Sequence, residues 1–233
     1  MAEGVAPVVV GIDLAAGRGV TALAGLALEP SGSPRMVSLA HPAPDGDILA
    51  EALRLRPAVI ALDAPLTLPG PVAAALAGAT WAGHDSPYTR AAERDPLWRE
   101  LGVRPLPVSF LGGLTFRAIP LAVRLRAALP DATVIEVFPT ATLRTLGARS
   151  AGDGRGAKTS IEGRRATHVA LGACVMGMPA IEAAGPLDAD ALDAVAAALT
   201  AAAFARGASM AVGDPAEGCI IVIDAARFAA RFA

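Results

Sequence analysis

A chain of 233 residues that is 54% hydrophobic but only 4% aromatic can bury a substantial core without disulfides or a structural metal, provided many small aliphatic side chains close it. A formal net charge of −2, from 20 basic and 22 acidic residues, excludes a global positive field that would draw in nucleic acid. The opening MAEGVAPVVVGID has no basic start, and no stretch of about 20 residues is apolar enough to span a bilayer, so a soluble cytoplasmic protein is expected.

Residues 8–14 (VVVGIDL) form a β-branched run that ends in the polar loop AAGRG and reads as a buried strand. Residues 20–28 and 36–40 follow after Gly and Pro turn signals and complete an antiparallel three-stranded meander. Ile48, Leu49, Leu53 and Leu55 have helical spacing, which predicts a helix over 47–55 with Asp47 as its cap. The wholly apolar run 58–62 leads into Asp63-Ala-Pro-Leu. A helix between two such strands indicates a parallel crossover with both sheet faces covered.

Residues 69–107 are irregular and contain both tryptophans, the only tyrosine and a charged patch over 90–104. They read as a partly helical lid, and the whole stretch 69–130 as a helical insertion in a single domain spanning 1–233. A helix is expected over 111–129, kinked or split at Pro120, then a strand over 133–138 stopped by Pro139. The loop AGDGRGAK (151–158) precedes helices over 164–176 and 188–206, and 218–223 is a last strand or edge hairpin. The sum is an α/β fold whose mixed sheet combines an antiparallel meander with parallel crossovers and carries helices on both faces. Cys174 and Cys219 have no CxxC spacing and read as buried reduced thiols. Lys158 is the only lysine, which reads mainly as the imprint of a GC-rich bacterial genome.

Three strand ends carry an acid: Asp13, Asp63 and Glu136. Ionised carboxylates are costly to bury, so an acid directly after a run of Val, Ile and Leu calls for a reason. Parallel strands would gather these acids at the carboxyl edge of the sheet, where α/β folds place ligands. Like charges gathered there need a cation, and an oxygen-rich site suits Mg²⁺ or Mn²⁺. The run DADALDAVAAALTA adds Asp190 and Asp193, three residues apart on one face of a helix that is otherwise Ala, Val and Leu. Asp188 is expected as its N-cap.

GIDLA, ALDAPLTLP, RDPLWRELGVRPLP, VIEVFPTATLRTLG, DADALDAVAAALTA and VGDPAEGCIIV follow one another in the order found in the DUF429 family, which the chain resembles over nearly its whole length. That family is a set of predicted nucleases, and the resemblance implies a ribonuclease-H-like fold. Asp190-Ala-Leu-Asp193-Ala-Val-Ala is also similar to the last catalytic helix of RuvC-type resolvases. Carried over motif by motif, the resemblance implies that Asp13, Asp63, Asp190 and Asp193 bind two Mg²⁺ or Mn²⁺ ions and cleave a nucleic acid, DNA or RNA. Glu136, Arg94, Asp95 and Lys158 complete the candidate set, behind the ligands or against the substrate.

Plainer readings stand beside these. Glu136 would serve equally well paired to a nearby arginine. Arg90, Arg94, Arg99 and Arg104, interleaved with Tyr88 and Trp98, could hold a single strand, or with Glu93, Asp95 and Glu100 could form a salt-bridged surface helix. His84 beside Asp85 is a candidate for proton transfer. Two other functions use the same residues. GIDLAAGRG resembles the first phosphate loop of actin-like ATPases and sugar kinases, and a ribonuclease-H-like module could bind nucleic acid or protein without catalysis.

Overall fold

The computed structural model describes residues 6–17, 19–41, 44–80, 88–147 and 160–232. The elements are β1 (Val8–Asp13), β2 (Ala22–Ala27), β3 (Arg35–Ala40), α1 (Asp45–Leu55), β4 (Val59–Asp63), α2 (Gly70–Leu76), α3 (Ala91–Arg94), α4 (Leu97–Glu100), α5 (Gly112–Ala128) and β5 (Thr133–Val137). There follow α6 (Pro139–Thr145), α7 (Ile161–Gly172), α8 (Ile181–Ala184), α9 (Ala189–Ala205), β6 (Ser209–Asp214), β7 (Gly218–Ile223) and α10 (Ala225–Phe232).

The seven strands form one sheet in the order β3-β2-β1-β4-β5-β7-β6. The meander β1-β2-β3 is antiparallel, β1-β4-β5-β7 run parallel, and β6 closes the far edge antiparallel to β7. This is the ribonuclease-H-like mixed sheet expected from the sequence. Alternation along the strands sends side chains to two separate cores. Val9, Val59, Ala61 and Ile135 pack beneath α9, whereas Val10, Ile12, Ile60, Leu62 and Val134 pack against α1 and α5. A third cluster joins Ala92 and Trp98 to Val212, Ile220 and Val222, so α3 and α4 cover the β7-β6 end of the sheet.

Several expectations are corrected. The first helix begins at Asp45, with Pro44 rather than Asp47 at its N-cap. Pro120 does not split α5; it lies on the exposed face, so the carbonyl it leaves unbonded meets water, while Ala118, Leu121, Ala122 and Leu125 hold the helix to the core. Pro139 does more than stop β5: it opens α6 at a position where its missing N–H costs nothing. The helix expected over 164–176 is shifted to 161–172 by the Ser160 cap, whose Oγ accepts from the Gly163 N–H. The edge hairpin expected around 218–223 is present: β7 is its inner strand and β6 its outer one. No helix among the described residues is long and apolar enough to cross a membrane.

Candidate active site

Asp13 and Asp63 end adjacent parallel strands and are paired in register. Residues in register on parallel strands point to the same face, and for this pair it is the face of Gly11 and Ala61, beneath α9. The α9 backbone lies directly on Gly11: a Cβ there would sit 2.3 Å from the Ala194 carbonyl oxygen and 2.1 Å from the Ala198 nitrogen. Glycine at this position is therefore what lets helix and strand touch.

The direction of α9 follows from its ends. Arg206, just past its C-terminus, donates to the carbonyls of Glu29 and Gly32 in the β2–β3 turn, at the amino edge of β1. His41, just after β3, reaches Asp188 at 3.2 Å at the opposite edge. From Gly11 to Asp13 the strand rises about 7 Å, and about four to five helical residues cover the same height. Asp190 and Asp193 thus lie level with Asp13 at the carboxyl edge, on the stripe of α9 that continues through Ala194 and Ala197. All four carboxylates are half-buried. Among the described residues, no three His, Cys, Asp or Glu side chains converge as a ready-made cation site.

Asp188 is the N-cap expected, accepting from the Ala191 N–H at 2.8 Å. A second clamp on this end of α9 was not legible in the sequence. His168 of α7 is buried; its Nδ1 accepts from the Leu187 N–H, so its proton sits on Nε2 and is donated to the Pro179 carbonyl. The loop after β1 is fixed as well. Arg117 of α5 donates to the Ala15 carbonyl, to Thr21 Oγ1 and to Asp45, while the Ala15 and Gly19 N–H groups are taken by Thr21 Oγ1 and the Ala16 carbonyl.

Glu136 sits in register with Leu62, one residue short of Asp63, so its side chain leaves the sheet on the α5 side. Arg90 grips it through Nη1 and Nη2 at 2.8 and 2.5 Å, and the Leu66 N–H donates to Oε2. Arg90 Nε donates to Glu93, whose other oxygen takes the Arg90 N–H. Burial opposes the charge on Arg90, but the two carboxylates hold its pKa above the ordinary value. Burial pushes the Glu136 carboxyl up, against the pull of Arg90 and of the Leu66 N–H. Of the two readings of Glu136, the ion pair is the one present.

The arginine-rich edge is corrected accordingly. Arg90 is only 1% exposed and Trp98 3%; Trp98 donates to the Ala92 carbonyl and meets Phe138 edge-on. Neither is free to meet a strand of nucleic acid. Arg94 is exposed at the end of α3, and Asp95 accepts from the Leu97 N–H as a local turn. Lys158, His84 and Asp85 lie outside the described residues. Cys174 and Cys219 are unbridged and half-buried, and burial pushes both thiols up, away from nucleophilic chemistry.

A cleft of about 190 Å³ opens at this edge between the start of α5 and the α3–α4 segment, and Asp13, Asp63 and Glu136 all line it. Arg164 is a residue that sequence reasoning missed. The C-terminal side of α7 bonds to the start of β3 through Met176, and His168 is already level with Leu187, so Arg164, one turn earlier, stands at the carboxyl edge. Its Nε is buried and has no hydrogen-bond partner among the described residues.

The sequence profile of the family described as "Protein of unknown function (DUF429)" matches residues 11–217. The chain belongs to the DUF429 family. The DUF429 match runs from β1 to the β6–β7 turn and includes all four aspartates. Two RuvC structures from Thermus thermophilus are similar. One shares 18% identity, covering 86% of this chain and 96% of that one, with a TM-score of 0.45. The other, RuvC in complex with a Holliday junction substrate, shares 15% over the same coverage, with a TM-score of 0.48. A search of curated proteins gives no significant match.

Proposed function

We propose that this chain is a metal-dependent nuclease that hydrolyses phosphodiester bonds at the carboxyl edge of its sheet. The observation that carries the reading is the registered pair Asp13 and Asp63 at the ends of adjacent parallel strands. It is supported by the first turn of α9, which Gly11 admits to the same edge. The donors are all carboxylate oxygens, which suits Mg²⁺ or Mn²⁺. In this reading Asp13, Asp63, Asp190 and Asp193 would hold the ions. Bound there, the ions would supply an activated water and stabilise the leaving oxygen.

The remaining work falls to the chain's own residues. His41, Asp188 and His168 hold the start of α9 at the strand ends. Arg117 fixes the loop that follows Asp13. Arg90 and Glu136 fix the turn after β4 through the Leu66 N–H. Arg164, with an N–H in need of an acceptor, is suited to a phosphate oxygen of the substrate strand.

The test is Mn²⁺ titration calorimetry on the wild type and on Asp13→Asn, followed by end-labelled single-stranded, duplex and branched DNA and RNA with Mg²⁺ or Mn²⁺. Metal binding that vanishes in the variant, together with metal-dependent cleavage, is the expected result. No cleavage of any substrate, and no Mn²⁺ binding with these substrates present, would overturn the reading in favour of a non-catalytic module.

A further inference from the structure

We propose that the cleft beside Asp13 and Asp63 receives one unstacked nucleobase of a strand lying across the carboxyl edge, and grips it by its faces rather than by its hydrogen-bonding edge. The inference rests on the nuclease reading and adds to it a substrate form: single-stranded or locally opened nucleic acid.

Size comes first. The cleft holds about 190 Å³, below the roughly 300 Å³ at which pockets for drug-sized ligands begin. It has room for one ring system and not for a whole nucleotide. Chemistry agrees. Leu106, Leu111, Leu114, Phe138 and Ile220 all line it. An apolar lining that includes an aromatic ring suits the faces of a base.

Arg90, Glu93 and Glu136 also line it, and their polar atoms are engaged with each other. Arg90 Nε, Nη1 and Nη2 all donate within the group or to Thr67, and both carboxylates accept from it. A base entering the cleft therefore finds walls to stack on but few groups to read its edge, which predicts tolerance of base identity. A base inside a continuous duplex cannot enter without leaving its stack, and that step is least costly in a single strand. Because Asp13 and Asp63 line the same cleft, the phosphate beside the inserted base would lie over the carboxylates.

The probe is a single-stranded oligonucleotide carrying one 2-aminopurine, titrated with the full-length protein in Mn²⁺ and compared with its duplex, while cleavage is followed on the same samples. Fluorescence should rise on binding the single strand as the probe leaves its neighbours. Leu106→Trp, at a position already 42% exposed and so tolerant of change, should weaken this binding about tenfold by filling the mouth. Exchanging the base beside the probe should change affinity less than about threefold. Equal fluorescence and affinity for single strand and duplex, or an unaltered Leu106→Trp that keeps its secondary structure, would overturn the proposal. Cleavage without any fluorescence rise sinks the cleft and leaves the nuclease reading standing. A rise lost in Leu106→Trp with no cleavage in any metal supports the cleft and sinks the nuclease reading.

Discussion

Gly11 of β1 and Ala198 of α9 are so close that a Cβ on the glycine would lie 2.1 Å from the alanine nitrogen. The neighbouring atoms are backbone, so no rotamer change can make room. Gly11→Ala must push α9 off the sheet, at a cost of about 1–3 kcal/mol or more for overpacking, and it must shift Asp190 and Asp193 away from Asp13. Urea unfolding should show the lower stability, and calorimetry a weaker Mn²⁺ affinity. A variant with unchanged stability would mean that the helix does not rest on this strand.

Arg90 is the linchpin of the opposite face. Arg90→Met strands Glu136 and Glu93 with buried charge, and the loss expected on breaking such a pair is about 3–5 kcal/mol. Arg90→Met combined with Glu136→Leu and Glu93→Leu should recover much of that loss, because apolar replacement of a whole buried ion network is often neutral. Denaturant midpoints on the single and combined variants test this. A loss below about 1 kcal/mol for the single change would place the group in solvent, as for an ordinary surface pair.

The pattern of strands was legible because each carries its own signal: β-branched runs ended by an acid or a turn residue at 8–14, 58–62 and 133–138. The acids on β1, β4 and α9 were legible for the same reason, since a carboxylate among Val, Leu and Ala is conspicuous. What failed to show was long-range pairing. Nothing local distinguishes Arg90 from Arg94, four residues later, yet the first is buried against Glu136 and the second is exposed. His168 looked isolated because its partners, Pro179 and Leu187, are backbone groups. β6 went unread because an edge strand with a mostly exposed pattern, SMAVGD, has little apolar alternation to detect.

Asp13→Asn and Asp63→Asn each remove one negative charge while keeping shape. In the proposed mechanism each should lower metal-dependent turnover by at least about a hundredfold. Cleavage rates, with thermal melts to show that each variant is folded, check this. Full activity in either variant would remove that residue from the site.

Arg164 offers a contrast between stability and binding. Its buried Nε has no acceptor among the described residues, and such a group costs about 1–3 kcal/mol in desolvation. Arg164→Met, which keeps the aliphatic stem, should therefore leave stability unchanged or raise it. Affinity for nucleic acid should fall, with a smaller salt dependence, since one phosphate contact is lost. A clear loss of stability would instead assign Arg164 a structural partner.

His168 ties the start of α9 to pH. Burial holds its pKa below the ordinary 6.5, partly opposed by the Pro179 carbonyl and Glu182. The neutral ring is the form the fold requires, since Nδ1 must stay unprotonated to accept from Leu187. Between the folded and unfolded pKa values the unfolded chain binds the extra proton, so stability must rise with pH. The contribution is complete above pH 6.5 and is lost as pH falls through the depressed folded value. His168→Gln, whose amide can accept from Leu187 and donate to Pro179 but cannot titrate, should flatten this part of the stability profile. Because Leu187 leads directly into Asp188 and α9, metal affinity of the wild type should also fall more steeply with acid than that of the variant. Parallel profiles for the two proteins would show that His168 keeps its proton balance on unfolding and that acid acts elsewhere.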